Sequence, residues 1–166
     1  KKSTGLIIDE SSFAKQGKMS VGTSRQWLGR LGKVDNGQVA VFGALASERF
    51  VAPVDVRLYL PGEWTSDRER CDRADIPKNE RKFHTKVEFA LKIVEQARIN
   101  RLNYGWVGTD AGYGKGPGFC IALARMSEIF VVDVHSDFFV YLEDPCPYIP
   151  EKKTKTGRPI KKRRTD

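Results

Sequence analysis

The chain is poor in the residues that build covalent frameworks and metal knuckles. Only three cysteines occur in 166 residues, Cys71, Cys120 and Cys146. An odd count without a Cys-x-x-Cys pair argues against both a disulfide scaffold and a zinc knuckle. It leaves reduced thiols that pack as small hydrophobes or lie idle. Histidine is scarcer still: His84 and His135 stand alone, with no partner at metal-ligand spacing. Apolar stretches such as Ile129–Val134 are far too short to span a bilayer. The opening Lys1-Lys2-Ser3-Thr4 leads straight into a short apolar run ending in acids, without the h-region and small-residue cleavage site of a secretory signal. These absences set the expectation of a cytoplasmic protein with no membrane partner.

Acidic residues are missing from one stretch in particular. Residues 11–34 contain no Asp or Glu, yet carry Lys15, Lys18, Arg25, Arg30 and Lys33. The formal charge of +8 is also uneven. Residues 151–166 hold eight Lys/Arg and two acids, leaving 21 bases against 19 acids in residues 1–150. The body is close to neutral, so local distribution says more about nucleic-acid binding than the total does.

What is present reads as one α/β domain. Gly5–Ile8 is a short apolar strand ending in Asp9-Glu10. Residues 11–34, punctuated by glycines 17, 22, 29 and 32, read mostly as loop with room for a short ribbon. Gln38–Ala46 and Phe50–Leu60 read as two strands of a hairpin around Ser47-Glu48-Arg49, the second alternating apolar and polar residues. Residues 61–83 are dense in mixed charge and read as a solvated connection. Thr85-x-x-Glu88 has the form of a capping box, and Val87, Ala90, Leu91, Val94 and Ala97 follow at helical spacing over 85–99. Tyr104–Thr109 is a strand that again ends in an acid, Asp110. Pro117 is placed as the first residue of a helix running to about Ser127. Ile129–Val134 and Phe138–Leu142 are further strand candidates.

The helical crossover over 85–99 allows strand 104–109 to lie parallel to strand 5–8. Asp9 and Asp110 would then share the carboxyl edge of the sheet, where open α/β sheets bind ligands. An aspartate after a strand is also a common turn former or helix cap. Glu10 should point to the opposite side of the strand from Asp9. Asp133 falls within the last strand, where a structural role is the simpler reading. Gly112–Gly118 does not match GxxxxGK[ST] or GxGxxG, so no small-molecule nucleotide is expected there.

Several spaced motifs together carry a family resemblance. Gly5-Leu6-Ile7-Ile8-Asp9-Glu10, Lys15-Gln16-Gly17-Lys18-Met19-Ser20-Val21-Gly22, Arg25-Gln26-Trp27 and Leu31-Gly32-Lys33-Val34-Asp35-Asn36-Gly37-Gln38-Val39 resemble bacterial insertion-sequence transposases of the DDE class. Arg57-Leu58-Tyr59-Leu60-Pro61, the Trp64, Asp67 and Arg70 stretch, and Asp110-Ala111-Gly112-Tyr113-Gly114 extend the likeness over roughly residues 5–142. It implies an RNase H-like mixed sheet in the order strand, hairpin, helix, strand, helix, strand, flanked by helices. It further implies two-metal-ion DNA cleavage and strand transfer at transposon ends, using Mg²⁺ or Mn²⁺. Asp9 and Asp110 would be the catalytic, metal-holding acids, and DNA the partner. Lys15, Lys18, Arg25, Lys33 and Lys115 are the candidate DNA contacts, with Phe13 or Trp27 able to stack on a distorted base.

The family's third acid, a glutamate on a helix after the fifth strand, has no counterpart. Glu143, Asp144 and Glu151 lie in a Pro- and Lys-rich stretch without helical periodicity. The expectation is therefore a partial catalytic core over 1–142. Residues 143–166 would be a basic tail or the start of an insertion region, and the whole a piece of a longer protein in which a homodimer is compatible. A catalytically inactive DNA- or partner-binding remnant is the alternative.

Overall fold

The computed structural model describes residues 3–139, 143–144 and 146–150. The chain divides into two units, residues 1–135 and 136–166. The first unit holds six strands: β1 Gly5–Ala14, β2 Ser24–Leu28, β3 Lys33–Ala46, β4 Val51–Leu58, β5 Trp106–Thr109 and β6 Phe130–Val132. Five helices accompany them: α1 Gly62–Thr65, α2 Arg68–Arg73, α3 Lys86–Ile99, α4 Ala111–Gly114 and α5 Pro117–Arg125. The sheet order is β2-β3-β1-β5-β6, with β4 pairing beside β2 on the same edge of β3. β1, β5 and β6 run parallel, whereas β2, β3 and β4 are joined by antiparallel ladders. This is the mixed sheet with helices of an RNase H-like fold.

The core lies on one face. Leu6 and Ile8 of β1, Val41 of β3 and Val107 of β5 are fully or almost fully buried against Ala90, Ile93, Val94 and Ala97 of α3 and Phe119 and Leu123 of α5. Strand alternation explains the choice: residues 6 and 8 point to the helices, residues 7 and 9 away from them. Gly43 of β3 leaves the space that Ile93 fills; a Cβ there would sit 2.5 Å from the Ile93 Cγ2. α3 begins as its sequence dictates. The Thr85 hydroxyl accepts from the Glu88 N–H at 3.1 Å, and the Glu88 carboxylate accepts from the Thr85 N–H at 2.6 Å.

Three expectations need correction. β1 does not stop at Asp9 but runs on to Ala14, paired residue for residue with β3 from Gly5↔Ala46 to Ala14↔Gly37. The acid-free stretch is accordingly not mostly loop: nearly half of it is strand, Gly29–Leu31 adds a 3-10 turn, and β3 starts at Lys33 rather than Gln38. Ladder hydrogen bonds to a 14-residue partner outweigh the loop preference of its glycines. The connection 61–83 folds α1 and α2 around a satellite core of Leu60, Trp64, Cys71 and Ile76. Of the candidate strand Phe138–Leu142, residues 138 and 139 carry no regular structure and 140–142 lie outside the described residues, as do the basic residues 151–166. Among the described residues no helix is long and apolar enough to cross a membrane.

Ile93→Ala should lower unfolding free energy by about 2–5 kcal/mol, because a fully buried side chain leaves a cavity against the sheet. Thr85→Ala should cost only about 1 kcal/mol, the value of one cap. Urea unfolding of both variants checks the ranking.

Candidate active site and nucleic-acid interface

The parallel ladder of β1 with β5 ends at Ile8↔Thr109. The next residue on each strand is an aspartate, so Asp9 and Asp110 sit side by side at one sheet edge, on neighbouring strands roughly 5 Å apart. The third parallel strand repeats the pattern. Thr109 pairs with Val132, and Asp133 follows, its N–H donating to the Thr109 carbonyl at 3.1 Å. Even so, among the described residues no group of three or more His, Cys, Asp or Glu side chains converges on a common ion position.

The two aspartates differ in surroundings. Asp9 is exposed, but protein crowds its carboxyl enough to raise its pKa above the ordinary value. Burial is the leading cause and the charges of Asp110 and Glu10 add to it, against a lowering hydrogen bond from the Glu10 N–H at 2.7 Å. Asp110 doubles as the N-cap of α4, accepting from the Gly112 N–H at 3.0 Å. The turn-former reading of this residue and its place at the site are thus both realised. Glu10 turns to the helix side, as alternation requires, and bridges Lys86 Nζ at 2.7 Å. That contact ties the start of α3 to the acid edge. Tyr113 lies beneath: its ring packs on Phe119 at 5.8 Å, and its buried hydroxyl has no protein partner. Burial pushes its pKa far up, and Glu10, Asp9 and Asp110 push it further.

The glycine-rich turn after Asp110 is helical rather than open. Gly114 brings α4 against the end of β6 so closely that a Cβ would overlap the Asp133 carbonyl. Neither Tyr113 nor Lys86 was singled out as a site residue from the sequence. A tyrosine three residues after a strand-end acid, and a lysine beside a cap, carry no pattern of their own.

The basic residues fall into three places. β1 and β2 are parallel and flank β3, so residues 15–23 must cross over β3 to join them. Side chains hold this crossing by its carbonyls. Asn36 Nδ2 donates to the Lys15 and Gly17 oxygens at 2.6 and 3.0 Å, and Gln38 Nε2 to the Val21 oxygen at 2.5 Å. Arg70, stacked 3.7 Å over the Trp64 ring, donates to the Lys18 oxygen at 3.0 Å. Lys15 and Lys18 belong to this arch, and Arg25 stands on β2 beside it. Asn36 and Gln38 lie on the same sheet face as Asp9, so the arch crosses that face. Lys33 points to the other face and is bridged to Asp35 at 2.9 Å. Lys115 is exposed at the end of α4, away from the arch along the chain.

A mixed sheet of this order, with Asp9 and Asp110 just past the parallel β1–β5 ladder, defines the class as an RNase H-like α/β fold. Within it, the chain belongs to the DDE superfamily endonucleases: that family's model matches residues 1–166. Over 138 residues, 81% of the chain, it is 31% identical to a probable transposase for insertion sequence element IS701 of Microchaete diplosiphon. The match covers 33% of that relative, so the chain spans about a third of its length. No solved structure matches.

Because the folded state raises the Asp9 pKa, its ionisation opposes folding. The stability this group contributes is present below the unfolded carboxylate pKa and is lost as pH rises through the folded value. Asp9→Asn should therefore raise the melting temperature at pH 7 in metal-free buffer, and the gain should vanish near pH 3. Thermal scans across that range check the sign.

Proposed function

We propose that this chain is the catalytic core of a transposase, in which Asp9 and Asp110 hold a divalent cation, Mg²⁺ or Mn²⁺, during DNA strand cleavage and strand transfer. The observation that carries the reading is the register Ile8↔Thr109, which sets the two carboxylates at one edge. Their chemistry fits a hard cation: both are exposed oxygen donors, and neither is in a salt bridge among the described residues. Asp9 also bears repulsion from Asp110 and Glu10 that a cation would offset. A divalent ion supplies Lewis acidity toward a phosphodiester and toward an attacking oxygen.

The protein's own groups do the remaining work. Strand alternation puts the Glu10 carboxylate on the helix side, and its bridge to Lys86 ties the edge to α3. The α4 cap, with the Gly112 N–H donating to the Asp110 carboxylate, orients Asp110. Lys15, Lys18 and Arg25 offer cations to phosphates on the Asp9 face, while Lys33, engaged by Asp35, contributes less. Lys115 lies close in sequence to Asp110 and serves phosphates near the acids.

The second reading, DNA binding without catalysis, is favoured by one observation: among the described residues no third acid converges with Asp9 and Asp110 on a common ion position. Both readings meet the same experiment. In a longer parent protein, Asp9→Asn or Asp110→Asn should reduce metal-dependent strand cleavage by about a hundredfold or more, with DNA affinity kept. The 166-residue chain alone should bind Mn²⁺ weakly and leave supercoiled plasmid intact. Robust nicking by the chain that disappears in Asp9→Asn would mean that Glu10 or Asp133 completes the site. Undiminished cleavage by the aspartate variants of the parent would overturn the catalytic reading.

A further inference from the structure

The far end of the β2–β3 ribbon carries a half-exposed apolar pair. Trp27 and Val34 are directly opposite each other in the antiparallel ladder, and both are about half exposed, at 53% and 51%. The residues next to Trp27 explain which way it faces. Leu28 is fully buried on the helix side, packed over Gly37, so Trp27 must point to the opposite face. The unbroken registers carry that face back to the acids. Val34, Asn36, Gln38, Ala40 and Phe42 alternate along β3, and Phe42 is opposite Asp9. One continuous sheet face therefore presents, in order, Trp27 with Val34, then Arg25 opposite Asn36, then Phe13 opposite Gln38, then Asp9. The basic arch lies across it between the apolar pair and the acids.

The spacing is fixed by the backbone. Eight residues separate Val34 from Phe42 on β3, which at about 3.4 Å per residue spans at most roughly 27 Å. A B-form duplex advances about 3.4 Å per base pair, so the same length holds about eight base pairs. An exposed indole beside cations fits a nucleic acid better than a protein partner. Cations take the phosphates while the ring takes a base face or an opened base step.

We infer that Trp27 and Val34 form a second DNA contact, an apolar wedge against the duplex about eight base pairs from the phosphate held at Asp9 and Asp110. The inference rests on the proposed DNA-cleaving function for its reference point, and on the strand registers for the contact itself. Arg25 and the arch anchor the backbone between the two points, so the wedge meets a base step of defined position rather than any step along the DNA.

Affinity and salt dependence separate the wedge from the phosphate contacts. With duplexes of about twenty base pairs in Ca²⁺ buffer, Trp27→Ala should weaken binding about tenfold or more at every salt concentration and leave the slope of log affinity against log salt unchanged. Arg25→Ala should instead reduce the slope by about 0.9. Trp27→Phe, which keeps an aromatic face, should recover most of the affinity, and equal melting temperatures exclude a folding defect at so exposed a position. In the cleaving parent protein, an iron chelate tethered at Trp27→Cys should cut the duplex about eight base pairs from the scissile phosphate. Unchanged affinity of Trp27→Ala, a changed slope, or cuts within three base pairs of that phosphate would each overturn the wedge. Failure of cleavage with the Trp27 effect intact would overturn the catalytic reading alone. Absence of any duplex binding would overturn both.

Discussion

The acid edge of this chain depends on the parallel pairing of β1 with β5. A parallel ladder between strands a hundred residues apart needs a crossover, and α3 supplies it by burying Ala90, Ile93, Val94 and Ala97 against the sheet. Once Ile8 stands beside Thr109, the two aspartates that follow have no freedom to be apart. The same packing that makes the domain stable makes its acid edge. Weakening α3 would therefore disturb a site it does not touch, except through the Lys86–Glu10 bridge.

The sheet has two unlike faces, and the division of labour follows from alternation. Residues 6 and 8 of β1 join the core; residues 9 and 13, two and six positions from Ile7, face the other way. Phe13, Arg25 and Trp27 are exposed there together with Asp9. The long β3 strand acts as the ruler, since β1, β2 and β4 all take their register from it. Asn36, Gln38 and Arg70 hold the crossing through its carbonyls, at Lys15, Val21 and Lys18.

Negative charge is crowded at the acid edge. Asp9 is pushed toward protonation by crowding and by two neighbouring carboxylates, one of which is neutralised by Lys86. Tyr113 adds a buried hydroxyl without a partner below the same edge. The chain carrying this edge belongs to the DDE superfamily endonucleases and spans about a third of a probable transposase to which it is similar.

By itself the sequence determined the local elements and the candidate acids. Thr85-x-x-Glu88 starts α3 where the cap pattern places it, because the capping bonds are made among neighbours in the chain. Pro117 opens α5 for the same local reason, and the apolar runs ending in Asp9 and Asp110 are strands. The spaced motifs were enough to indicate the family. Tertiary structure alone decided that β1 continues to Ala14 and that residues 24–28 are a strand. Their hydrogen bonds are made to β3, and short-range preferences for loop at Gly17 and Gly22 carry no information about that partner. It alone decided that Glu10 meets Lys86, that Tyr113 lies under the acids, and that Asp9 shares a face with Trp27. Each of these is a contact between residues distant in the chain, set by which strands lie side by side and in which register.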